Sequence, residues 1–109
     1  MNKNKMLIKD MLELQDSFNS SINKDWRFKN WNWDTYMVVE AAELMESLPF
    51  KHWKQMKTDW DNVKVEAIDL LHFRMSKLLK NESINNAVDM MTMAYDVNCS
   101  LISPFEEED

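Results

Sequence analysis

A chain of 109 residues with 45% hydrophobic content has the length of one domain and the means to build one modest core, not two. Glycine is absent and proline occurs twice, which removes the residues that β-hairpin turns and Gly-rich phosphate loops require, so the chain is predicted to be all-α. The balance of 13 basic against 19 acidic residues, net −6, argues against a nucleic-acid or anionic-membrane partner, because either needs clustered Lys and Arg.

The first predicted element is an amphipathic helix over about residues 4 to 22, in which Leu7, Met11, Leu14, Phe18 and Ile22 recur at helical spacing. Its start scatters charges through MNKNKMLIKD, so it lacks the apolar region of a signal peptide. Gln15 and Asn19 fall inside its apolar arc. They are either core amides satisfied by backbone or a donor and acceptor suited to the amide-like edge of a pyrimidine. From Asn23 to Trp33 no period is visible, and Trp26, Trp31 and Trp33 read as aromatic pins of a connecting loop.

Asp34 is a candidate cap for a second helix reaching about Leu48, where Pro49 stops it. Glu40 and Glu43 are i, i+3 neighbours there, and no basic residue occurs between Lys29 and Lys51 to pair with them. The segment PFKHWKQMK bridges onward, and Lys51, His52 and Lys54 form a basic cluster able to neutralise phosphates, with Trp53 as core or as a pocket wall.

The third helix, from near Asp61 to about Lys80, is apolar almost all round, which predicts burial. It nevertheless carries Glu66 and Asp69 on one face, and two carboxylates brought out of water together either protonate or require a cation. Facing the pair on the second helix, they would make the all-oxygen site that Mg²⁺ or Mn²⁺ prefers. His72 and Phe73 follow, a ring and an imidazole that fit a nucleoside cradle as well as an ordinary core. A fourth helix is predicted from Ser83 to about Ser100 on the stripe Ala87, Met90, Met91, Ala94 and Val97, and the domain is placed at residues 1–104 with an acidic tail at 105–109. Nowhere does an apolar run reach the roughly 18 residues of a membrane span. Cys99, the only cysteine, excludes an internal disulfide and a Cys-based zinc site, so a cytoplasmic setting is expected.

Glu40-Ala-Ala-Glu43 followed by Glu66-Ala-Ile-Asp69, set among MLELQDSFN, EAAELMES, KHWK and EAIDLLHF, resembles the dimeric all-α dUTPases of the MazG-like nucleotide pyrophosphatase superfamily over roughly residues 7 to 80. The resemblance implies that Glu40, Glu43, Glu66 and Asp69 ligate Mg²⁺, that Gln15 and Asn19 read uracil, that His72 and Phe73 contact the deoxynucleoside, and that Trp53 and Lys54 border the pocket. Such enzymes continue with a further helical segment whose Lys, Arg and Asn residues grip the phosphates, and residues 81–109 carry no motif that places them against it.

The expected protein is a four-helix, bundle-like domain completed by forming a homodimer or homotetramer, because so short a bundle leaves apolar faces uncovered. The expected activity is Mg²⁺-dependent hydrolysis of dUTP to dUMP and pyrophosphate, with Glu43 orienting or deprotonating the attacking water. Three alternatives stay open at this point: hydrolysis of another nucleoside triphosphate, a di-iron bundle built on Asp69-Leu-Leu-His72, and a non-catalytic helical interaction protein.

Overall fold

The computed structural model describes the backbone of residues 2–106 and the side chains of residues 2–101. Four helices follow in order: α1 Lys3–Ile22, α2 Trp33–Glu46, α3 Trp60–Asn81 and α4 Ile84–Glu106, with a 3₁₀ turn Trp26–Phe28 between the first two. No strand occurs among the described residues.

Capping sets the helix starts. The Asn2 side chain accepts from Lys5 N (2.8 Å), that of Asn32 from Thr35 N (3.1 Å), that of Asp59 from Asn62 N (3.2 Å), and Ser83 Oγ from Asn86 N (3.2 Å), each satisfying a first-turn donor that has no intrahelical partner. Asn32, not Asp34, therefore caps α2. Asp34 lies one residue inside the helix and pairs instead with Lys77 Nζ at 2.6 Å. Helix α2 also ends earlier than Pro49 alone requires, at Glu46 with Ser47 as its C-cap. Helix α4 runs on to Glu106, past the expected stop near Ser100, so Phe105 and Glu106 are helical and only 107–109 of the expected acidic tail lie outside the described residues.

The core is small: Ile8 and Leu12 of α1, Trp26, Met75 and Leu79 of α3, and Ala87 and Val88 of α4. Helix α1 packs along α4 and against α3, while α2 packs only on α3 and buries no residue fully. The expected burial of α3 is realised on one side only, because Val65 and Ile68 remain 54% and 52% exposed with no second layer over them. On α4 the inward face is Ala87, Val88, Met91 and Thr92, while Met90 and Val97 of the expected stripe are exposed. The radius of gyration is 16.7 Å, against about 13 Å for a compact domain of this length. The accessible surface, 8237 Å², likewise exceeds the roughly 6,400 Å² expected for this mass.

Two clamps fix α2 against α3. Asp59 N donates to Ser47 O (2.9 Å), tying the end of α2 to the start of α3, and Lys77 binds Asp34, tying the start of α2 to the end of α3. The helices are therefore antiparallel, and the register of these clamps sets Glu40 and Glu43 across from Glu66 and Asp69.

Candidate active site

At this crossing Glu40, Glu43 and Glu66 each bring a carboxylate oxygen to within 4.8 Å of the others. Glu66 is buried, Glu40 half-buried and Glu43 exposed. None of the ion pairs among the described residues involves these three or Asp69. One oxygen of Glu40, Oε2, is buried and accepts no hydrogen bond. The electrostatic consequence is carried by Glu40, whose pKa rises to about 7. A hydrogen bond to Glu66 is the largest cause, followed by burial and then by the negative charges of Glu43, Asp69 and Glu66. Asp69 is thus near enough to act on Glu40, although it stands outside the tight group of three.

Asp69 links this cluster to a cavity of about 310 Å³ between α1 and α3, lined by Gln15, Phe18, Asn19, Ile22, Trp33, His72, Phe73 and Ser76 as well. Its size suits a small ring system more than an extended chain. One wall is aromatic: Phe73 lies 6.1 Å from Trp33 and 5.7 Å from Tyr36, ring centroid to ring centroid. The other wall is polar and ordered. Gln15 Nε2 donates to Asn19 Oδ1 (2.9 Å), Asn19 Nδ2 donates to Ser76 Oγ (2.9 Å), and Ser76 Oγ donates to His72 O (2.8 Å). Gln15 and Asn19 are thus buried amides satisfied by side chains, where backbone partners were the plainer expectation.

The structure brings Glu40, Glu43, Glu66 and Asp69 together, and Gln15, Asn19, His72 and Phe73 into the adjoining cavity. Trp53 and Lys54 do not reach it. They stand in the linker between α2 and α3, Trp53 70% exposed with its ring against His52 at 5.0 Å, and neither lines the cavity. Trp33, read from the sequence only as an aromatic pin of the connecting loop but in fact the first residue of α2, and Ser76, not singled out at all, both line the cavity, and their spacing carried a signal. Ser76 is seven residues beyond Asp69 and Trp33 seven before Glu40, two helical turns along the same faces. His72 lines the cavity, and the group of three found among the described residues consists of carboxylates alone.

The site thus combines a cluster of carboxylates, joined through Asp69 to a small cavity, with a lining of aromatic rings and ordered amides. In the comparison with known families, a family model described as dUTPase matches residues 7–105. The chain belongs to this all-α, MazG-like dUTPase family and is accordingly a nucleoside triphosphate pyrophosphohydrolase of the dUTP diphosphatase type. Neither the curated proteins nor the solved structures gave a significant match. The family match includes α4, so residues 81–105, which the sequence motifs left unplaced, are part of the family's domain.

Proposed function

We propose that the protein hydrolyses dUTP to dUMP and pyrophosphate in a Mg²⁺-dependent reaction, with Mn²⁺ as a possible substitute, and that Glu40, Glu43, Glu66 and Asp69 hold the ion. The observation that carries this is the paired condition of the cluster. Three carboxylates lie within 4.8 Å of one another with no cationic side chain on them, and a buried Glu40 oxygen is left without a partner. Oxygen-only donors of this kind fit a hard divalent cation, and loss of the proton that Glu40 holds up to about pH 7 readies it as a ligand.

When bound, the cation supplies neutralisation of the phosphate chain and acidification of a coordinated water. The chain's own residues do the rest. Glu43, the exposed member, is free to orient or deprotonate the attacking water, while Glu66 is held in place by its burial. Gln15 and Asn19 face the edge of the uracil, Phe73 and Trp33 provide its aromatic wall, and His72 stands beside the sugar. Trp53 and Lys54, exposed in the linker between α2 and α3 and away from the cavity, are assigned to the outer border of the site, Lys54 towards phosphate.

The protein is proposed to act as a homodimer or homotetramer in the cytoplasm, without nucleic-acid or membrane partners. The surplus surface noted above supports association. So does an apolar groove of about 570 Å³ between α1 and α3, lined by Met11, Leu14, Phe18, Ile68, Leu71 and Met75 together with Gln15 and His72. No helix among the described residues is long and apolar enough to cross a membrane. The test is incubation of the purified protein with each deoxynucleoside triphosphate and Mg²⁺, beside a Glu43→Gln control. Pyrophosphate and dUMP from dUTP, lost in the control, are expected; release of pyrophosphate from another nucleotide in preference, or from none, overturns the substrate assignment.

A further inference from the structure

Ser76 is only 1% exposed, and it ends the chain of side-chain hydrogen bonds that runs from Gln15 through Asn19. Its single proton goes to His72 O, a backbone carbonyl that can only accept. The direction of the whole chain is set from that end. With its proton committed, Ser76 meets Asn19 as an acceptor, so Asn19 turns its NH₂ towards Ser76 and its carbonyl oxygen towards Gln15. Gln15 must then offer its own NH₂ to Asn19. The oxygen and nitrogen of a side-chain amide are nearly equal in shape, so nothing steric distinguishes the two orientations. Reversing the chain would withdraw Ser76 from His72 O and forfeit that part-buried hydrogen bond.

We propose that Ser76 is a positioning residue for base specificity: by fixing which way the Asn19 and Gln15 amides point, it makes the cavity distinguish a uracil edge from a cytosine edge. The proposal rests on the assignment of this cavity to the base. Uracil presents a carbonyl and a ring N–H where cytosine presents an amino group and a bare ring nitrogen, so donors and acceptors exchange places between them. An amide held in one orientation complements one edge and meets the other with like facing like. An amide free to turn over accommodates both.

The experiment compares the full chain with Ser76→Ala and Ser76→Thr, measuring kcat and KM for dUTP and dCTP. Alanine deletes the hydroxyl with little change in volume, whereas threonine keeps a hydroxyl able to bond the carbonyl one turn back. For Ser76→Ala, the dUTP-over-dCTP ratio of kcat/KM is expected to fall by about tenfold, with the loss on KM for dUTP rather than on kcat, and Ser76→Thr is expected to restore it. A second readout needs no substrate: in the nucleotide-free wild type the Asn19 side-chain amide protons should exchange with water at least about tenfold more slowly than in Ser76→Ala. An unchanged ratio, an equal loss for both nucleotides, or an Asn19 amide that exchanges freely in the wild type overturns the proposal. If the wild type cleaves neither nucleotide, the base assignment itself fails and takes the proposal with it. If it cleaves dUTP selectively while Ser76→Ala does so equally well, only the role of Ser76 falls.

Discussion

Lowering the pH from 8 to 6 should weaken the binding of Mg²⁺ to this protein by about tenfold, and Glu40 is the reason. Its carboxyl titrates near 7, far above its ordinary 4.5, because it hydrogen-bonds Glu66, is partly buried and faces the charges of Glu43 and Asp69. Two carboxylates 4.8 Å apart repel by about 1 kcal/mol in bulk water and about 3.5 kcal/mol at an effective dielectric near 20; the exposure of Glu43 places its pairs towards the lower figure. A proton on Glu40 relieves that repulsion, and a metal ion must displace it. About nine-tenths of Glu40 is ionised at pH 8 and about one-tenth at pH 6, which gives the tenfold difference in apparent affinity. The sign for stability without metal is opposite. The folded form holds its proton more tightly than the unfolded chain, so this contribution is fully present below pH 4.5 and is lost as the pH rises through 7. Calorimetric titration with Mg²⁺ at pH 6, 7 and 8, on the wild type and on Glu40→Gln, reads the effect. The variant should bind more weakly and with a flat profile. A wild-type affinity that does not change between pH 6 and 8 refutes the reasoning, since an ordinary carboxylate is fully ionised throughout that range.

Other outcomes follow from the same geometry. Glu66→Gln should retain its helical circular dichroism while kcat/KM for dUTP falls by more than about a hundredfold, because a buried member of the cluster is neutralised; near-normal turnover would remove Glu66 from the site. Leu12→Ala, at a position with no exposed surface, should cost about 2–5 kcal/mol in urea unfolding with little change in KM. Asp16 accepts from Trp26 Nε1 (3.2 Å) and pairs with Arg27 (3.1 Å). Asp16→Ala leaves the indole N–H of a residue only 1% exposed without a partner, so a loss of about 1–3 kcal/mol is expected by the same assay, and a neutral result would mean that water replaces the carboxylate.

The helices were legible because their signals are local. Periodicity and the absence of glycine placed α1 and α3 to within a residue or two, and the pairing of Glu40-x-x-Glu43 with Glu66-x-x-Asp69 was visible as charge with no compensating cation. What failed also failed for physical reasons. The cap of α2 is Asn32, whose side chain accepts from Thr35 N, while Asp34 pairs with Lys77, a partner 43 residues away that no local pattern reveals. The extent of α4 was missed because the polar residues after Val97 and the proline at 104 read as an ending, whereas the helix continues to Glu106. The apolar circumference of α3 promised full burial that a chain this short cannot provide by itself. Ser76 escaped notice because a serine in an apolar helix face is usually bonded to the carbonyl one turn back and nothing more; its second bond, to Asn19, spans 57 residues.

Anomalous diffraction from crystals grown with Mn²⁺ and a non-hydrolysable dUTP analogue tests the central claim most directly. Manganese should lie between the carboxylates of Glu40, Glu43 and Glu66, within reach of Asp69 and the analogue's phosphates, with the uracil against Gln15 and Asn19. Manganese bound elsewhere, or an analogue whose base stays out of that cavity, would contradict the account.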